Sequence, residues 1–202
     1  MEKQQNETII AAFDFDGTIT TKDTLFDFIR FCFGLPKFII GMLLFLPTFT
    51  SYLLKNISNS QAKEKLFGIF FKGFELEQFQ ILGEKYSENI NHILNNEAIN
   101  KIKWHKNEGH VLVIISASIE NWIEPWANAN GFTQILSTKA EIIDGKLTGK
   151  FSSKNCHGAE KVTRLLAEFP ARNSYKLYAY GDSTGDTELL KESDYSFFKK
   201  FN

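Results

Sequence analysis

Thr8-Ile9-Ile10-Ala11-Ala12-Phe13-Asp14-Phe15-Asp16-Gly17-Thr18 is a run of β-forming residues that ends in two aspartates and a glycine. Such a run predicts a strand that stops abruptly in a turn. Side chains alternate along a strand, so Asp14 and Asp16 are expected on one side of its carboxyl end. In an open α/β sheet, that end faces the crevice where ligands bind. Two carboxylates there, with no base beside them in sequence, suit a divalent cation with oxygen ligands. They also permit a division of labour, one acting as nucleophile and the other as general acid and base. Taken alone, the pair reads equally well as a solvated turn.

Three further segments tilt that balance. Lys176-Leu177-Tyr178-Ala179-Tyr180 reads as another strand and runs into Gly181-Asp182-Ser183-Thr184-Gly185-Asp186. Parallel strands would bring Asp182 and Asp186 close to Asp14 and Asp16, and four carboxylates in one crevice repel strongly without a cation. His110 to Ile115 reads as a third strand, ending in Ser116-Ala117-Ser118. A small hydroxyl residue and free backbone N–H groups at a strand-to-helix turn form a phosphate cradle. Lys161 opens a helical pattern that continues through Leu165 and Leu166. A lysine near a helix start opposes the helix dipole, which calls for an anionic partner.

These four segments, in this order, resemble the motifs of the haloacid dehalogenase-like hydrolases. The nearest likeness is to subfamily IB, which contains phosphoserine phosphatase. It is strengthened by the helical insert after the first motif, by Asp144-Gly145-Lys146-Leu147-Thr148-Gly149, and by Asn155-Cys156-His157-Gly158 leading to Lys161. The resemblance implies an α/β fold, a Rossmann-like parallel sheet with an inserted α-helical cap. The core would comprise 1–20 and 96–202, and the cap 21–95. It further implies a phosphomonoester hydrolase working through an aspartyl-phosphate. Asp14 would be the nucleophile and Asp16 the acid and base. Mg²⁺ would be held by Asp14, the backbone carbonyl of Asp16, and Asp182. Ser116 and neighbouring amides would hold the phosphoryl oxygens, Lys161 would spread charge, and Asp186 would orient Lys161 or a metal-bound water. Gly17, Thr18, Asp23, Ala117 and Ser118 complete the substrate-binding candidates. An acid at position 16 favours phosphatase over dehalogenase chemistry, since halide needs no protonation.

Composition sets outer limits. The chain of 202 residues is 43% apolar, enough for one domain with a modest insert. A formal charge of −1 offers no basic excess for nucleic acid. Cys32 and Cys156 make no disulfide framework and fit a reducing compartment. The polar start, Met1 to Glu7, lacks the apolar core of a signal peptide, so a cytoplasmic protein is expected. His92, His105, His110 and His157 show no metal-binding spacing and read as structural or surface residues. Trp104, Trp122 and Trp126 read as packing.

The insert is where alternatives stay open. Twenty phenylalanines occur, crowded between 26 and 79, and Phe38 to Leu54 carries no charge. That run reads as a buried cap helix or pocket wall; membrane contact is the competing reading, with Lys37 and Lys55 as flanks. A pocket wall of this kind would suit a lipid phosphate such as phosphatidylglycerophosphate. Phosphoserine phosphatases carry a cap Glu where Asp23 stands, and an Arg where Lys63 or Lys65 stands. Phosphoserine, other small phosphates, and a non-catalytic role in binding a phosphate ligand remain the alternatives.

Overall fold

The computed structural model describes residues 8–201; Met1–Glu7, on which the signal-peptide reading rests, and Asn202 lie outside the described residues. Five strands form one parallel sheet: β1 (Thr8–Phe13), β2 (Val111–Ile119), β3 (Gln134–Thr138), β6 (Tyr175–Gly181) and β7 (Tyr195–Phe198). Their spatial order is β3-β2-β1-β6-β7. β1 lies at the centre because both of its faces are apolar. Ile10 and Ala12 join the core on one face, Ala11 and Phe13 the core on the other. A strand covered on both sides reads as a continuous hydrophobic run. The chain leaves β1 toward β2 and later returns to its other side at β6. That reversal of winding opens a crevice at the carboxyl ends. Register levels those ends, since Phe13 pairs with Ile114 on one side and with Tyr180 on the other.

Between β1 and β2 lie α1 (Thr24–Leu53), α2 (Asn59–Phe71), α3 (Leu76–Ile90) and α4 (Asn96–Asn107). α5 (Glu120–Asn130) follows β2. A hairpin of β4 (Ala140–Ile143) and β5 (Lys146–Phe151) follows β3, turning at Asp144 and Gly145, both with positive φ. α6 (Ala159–Glu168) precedes β6, and α7 (Thr187–Glu192) follows it. α1 is two limbs, broken at Gly34 (φ 70°, ψ 170°), where the sequence predicts a helix stop. α2 begins with a capping box between Ser58 and Gln61.

Two sequence expectations are corrected here. Asp14 and Asp16 do not share a side through strand pleating, because β1 ends at Phe13. Phe15–Ile19 forms a tight irregular turn, and Asp16 belongs to it. Likewise Ser116–Ser118 is not a strand-to-helix turn. β2 continues to Ile119, with a register shift against β3 between Ser116 and Ile119, and the helix starts only at Glu120.

The phenylalanines serve mainly to pack. Phe28 stacks on Trp122 at 4.8 Å and meets Tyr86 at 5.1 Å and Phe71 at 5.6 Å. Phe33 and Phe67 extend this cluster to Phe70, Phe74 and the hairpin residue Phe151. The uncharged run 38–54 behaves differently from the buried helix expected of it. Only Gly41 and Phe45 are buried there, while Leu43, Leu44 and Leu53 are about 60% exposed.

α3 and α5 approach so closely that Gly83 has no room for a side chain. A Cβ there would lie 2.2 Å from the carbonyl oxygen of Asn121. At a free helix position Gly→Ala gains about 1 kcal/mol. Here the clash is with backbone, which cannot rotate away, so the sign reverses. Gly83→Ala is expected to lose about 1–3 kcal/mol in chemical denaturation. A stabilised variant would show that α3 and α5 are not in contact in solution.

Candidate active site

The crevice at the strand ends holds a cavity of about 340 Å³. Its centre is an ion triplet. Lys161, on the first turn of α6, places Nζ 2.7 Å from Asp14 Oδ1 and 2.5 Å from Asp186 Oδ1. All three residues are buried. The other oxygen of Asp186 accepts from the Asp182 N–H (3.1 Å), the Ser183 N–H (3.0 Å) and the Ser183 hydroxyl (3.0 Å). Asp186 thus fixes the turn after β6 and holds the lysine from behind.

Asp16 lines the same cavity, but its carboxylate is directed elsewhere. Oδ1 accepts from the Thr24 N–H (2.9 Å) and hydroxyl (2.6 Å), and Oδ2 from the Ser118 hydroxyl (2.5 Å). Trp122 donates its indole N–H to the Thr24 hydroxyl. Asp16 is therefore held by the start of α1 and the end of β2 together. Gly17 makes the turn possible. Its φ is +77°, and a Cβ would stand 2.4 Å from an Asp182 carboxylate oxygen.

Among the other sequence candidates, Ser116, Ala117, Asp23 and Asp182 line the cavity. Thr18 and Ser118 do not. Thr18 is buried beneath Asp182, its hydroxyl 3.5 Å from Oδ1, and Ser118 is buried against Asp16. Both support neighbours rather than face the cavity. The lining residues outside that candidate set include Thr21, Lys22, Asn59, His157, Ser183 and Gly185. Asn59 lies far from the aspartates in sequence and its residue type carries no motif, whereas His157, in the segment that leads to Lys161, reads from sequence as structural or surface and instead lines the cavity. Lys63 also lines the cavity, while no residue of 38–54 does. The expected apolar approach to the site is thus replaced by a polar one.

Electrostatics follow from burial. Desolvation pushes the Asp14 carboxyl up to about 7, with Lys161 opposing and Asp186 adding to the rise. Burial also disfavours the Lys161 ammonium, yet Asp14 and Asp186 more than offset it and hold the lysine charged. Asp186 is likewise penalised by burial, but Lys161 and the Ser183 donors keep it below the usual carboxylate range. Burial and Asp186 raise Asp182. Ligand oxygens of Asp14, Asp182 and Asp186 lie within 4.8 Å of one another. This set is all oxygen, which fits a hard divalent cation. Asp186 is already saturated by Lys161 and Ser183, so Asp14 and Asp182 are the available side-chain ligands.

The profile of the haloacid dehalogenase-like hydrolases matches residues 11–191. The chain belongs to that family. It is an α/β enzyme of the hydrolase class. It is 29% identical over 198 residues to protein CicA of Caulobacter vibrioides, covering 97% of this chain and 88% of that one. It is 29% identical over 193 residues to the probable phosphatase Rv3661 of Mycobacterium tuberculosis, covering 90% of this chain and 65% of that one. Its fold matches a phospho-aspartyl intermediate analogue of phosphoserine phosphatase with a TM-score of 0.66. That pair is 18% identical, covering 93% of this chain and 84% of the other.

In this hydrolase, a cation that binds through Asp14 competes with a proton. Below about pH 7 binding must displace that proton, so affinity falls by up to about tenfold per pH unit. Above it, Asp14 is already ionised. Subsaturating Mg²⁺ is therefore expected to raise Tm more at about pH 8 than at about pH 6. Equal stabilisation at both would show that the cation does not contact Asp14.

Proposed function

We propose that this hydrolase is a Mg²⁺-dependent phosphomonoesterase working through an aspartyl-phosphate at Asp14. The observation that carries the reading is the geometry of Asp14. One of its oxygens is held by Lys161, while the residue lines a cavity that also contains Asp16, Ser116 and Asp182. Family membership and the relatives' names support it.

The free oxygen of Asp14 attacks phosphorus, and the bond from phosphorus to the ester oxygen breaks. Asp16 delivers a proton to that departing oxygen. Thr24 and Ser118 hold the Asp16 carboxylate in place for this transfer. Water then attacks phosphorus, Asp16 takes up its proton, and the bond from phosphorus to Asp14 breaks, releasing inorganic phosphate. Ser116 accepts from the Ser118 N–H at 3.1 Å, which leaves its own hydroxyl hydrogen for a phosphoryl oxygen. Lys161 offsets charge building on Asp14 and phosphate, the positioning and electrostatic work on which phosphoryl transfer depends. Bound Mg²⁺, held by Asp14, Asp182 and the backbone carbonyl of Asp16, would cancel repulsion between an anionic nucleophile and an anionic substrate.

The helices of 21–95 act as the cap in this reading. This segment contributes Lys22, Asp23, Asn59 and Lys63 to the cavity, so the part of the leaving group that enters it is small and polar. A lipid phosphate fits only as a headgroup, with its acyl chains outside. Cys32 and Cys156 are free thiols, in keeping with the cytoplasm.

Asp14→Asn is expected to abolish turnover, because an amide cannot form the acyl-phosphate. Retained phosphatase activity in that variant would overturn the mechanism. Asp16→Asn is expected to lose about 10²–10⁴-fold on an alkyl phosphate and far less on an activated aryl phosphate, whose leaving oxygen scarcely needs a proton. Equal losses on both substrates would remove Asp16 from proton transfer. Exhaustive chelation is expected to remove activity and Mg²⁺ to restore it; full activity after chelation would contradict the metal requirement.

A further inference from the structure

The second limb of α1 presents the one large feature that neither the fold nor the catalytic cavity uses. Its inner stripe, with Gly41 and Phe45, packs on α2. A Cβ at Gly41 would meet the Phe70 ring at 2.0 Å, so the helices are in close contact there. The outer stripe recurs at helical spacing as Ile39, Ile40, Leu43, Leu44, Leu46 and Leu53, all about 50–65% exposed. Soluble proteins seldom leave so long an apolar stripe uncovered.

Charge says what covers it. Residues 22–72 contain seven basic and three acidic side chains, although the whole chain has 23 and 24. The three acids are engaged by hydrogen bonds within the chain. Asp23 caps Leu25, Asp27 accepts from Tyr86 and Asn89, and Glu64 accepts from the Phe151 N–H. Lys22, Arg30, Lys37, Lys55, Lys65 and Lys72 are exposed and form no ion pair among the described residues. Lys37 and Lys55 flank the stripe in sequence, and an uncovered apolar stripe on a cationic segment is complementary to an anionic lipid surface. A second copy fits less well, since an isologous contact would set two cationic segments against each other.

The helix is apolar and long enough to cross a bilayer, yet its ends exclude that. Asp23 precedes it, Asn59 follows it, and both line the same cavity. Both ends therefore stay on one side.

We propose that the outer face of the second limb of α1 lies in the interface of an anionic phospholipid bilayer, as a peripheral docking helix. Leu54 and Lys55, at its end, are only a few residues from Asn59 at the cavity. Docking thus holds the catalytic cavity close to the lipid headgroups. On the phosphatase reading above, on which this last step rests, a phosphate carried by a lipid headgroup is the substrate so presented.

Vesicle flotation tests the docking. The full chain is expected to float with phosphatidylcholine vesicles containing about 30 mol% phosphatidylglycerol, to float poorly with phosphatidylcholine alone, and to be released by high salt. The double variant Leu43→Glu, Leu44→Glu is expected to lose flotation at least roughly tenfold. Its melting temperature and turnover of a small aryl phosphate should be unchanged, because both positions are exposed and neither lines the cavity. Failure of the wild-type chain to float overturns the proposal, as does equal binding to neutral vesicles. Light scattering that shows a dimer dissolved by the same substitutions would assign the face to a second copy instead. Asp14→Asn should float like the wild type. A chain that floats but hydrolyses no phosphate would therefore overturn the catalytic reading alone.

Discussion

One buried ammonium ties three parts of this chain together. Lys161 sits between Asp14, at the end of β1, and Asp186, in the turn after β6, while itself belonging to the start of α6. Taking such charges out of water costs several kcal/mol per ion, and the attraction repays it only when partners are close and their remaining lone pairs are filled. The site meets that condition unevenly. Asp186 has both oxygens fully used and stays a strong acid. Asp14 has one oxygen on Lys161 and its other oxygen without a protein donor, so burial raises it toward neutrality. The asymmetry separates two chemically identical side chains, one held ionised by its donors and one raised toward neutrality by burial.

Asp16 shows a second constraint of the same kind. Its partners come from the first residue of α1 and from the end of β2, and Trp122 of α5 holds one of them. The acid is thus coupled to the inserted helices through Thr24. The close approach of α3 to α5 at Gly83, and the stacking of Phe28 on Trp122, keep that indole in place. Packing several residues removed from the cavity therefore sets the position of a carboxylate inside it.

The insert separates its two apolar surfaces by use. The aromatic cluster of Phe28, Phe67, Phe71 and Phe79 is buried and joins the helices to the α/β body. The outer stripe of α1 beyond Gly34 is not buried by anything among the described residues. The cavity is lined in part by lysine, asparagine and carboxylate side chains. Hydrophobic substitution in these three places would accordingly have three different consequences: in folding, in association and in substrate choice.

The sequence by itself determined the parallel α/β body and the residues of the ion triplet. Strands and helices announce themselves through local periodicity, and Asp14, Asp182, Lys161 and Asp186 lie at element ends where alternation and turn glycines mark them. What only the tertiary structure decided was which surfaces face one another. The uncharged run 38–54 reads the same whether it is buried, lines a pocket or faces outward, since hydropathy records composition and not neighbours. Asn59 reaches the cavity only because a distant element folds over it, and nothing in its local sequence encodes that arrival. The pairing of Asp16 with Thr24 and Ser118 depends on a turn whose backbone angles no periodicity predicts, so a strand rule placed the carboxylate in the right crevice for the wrong reason.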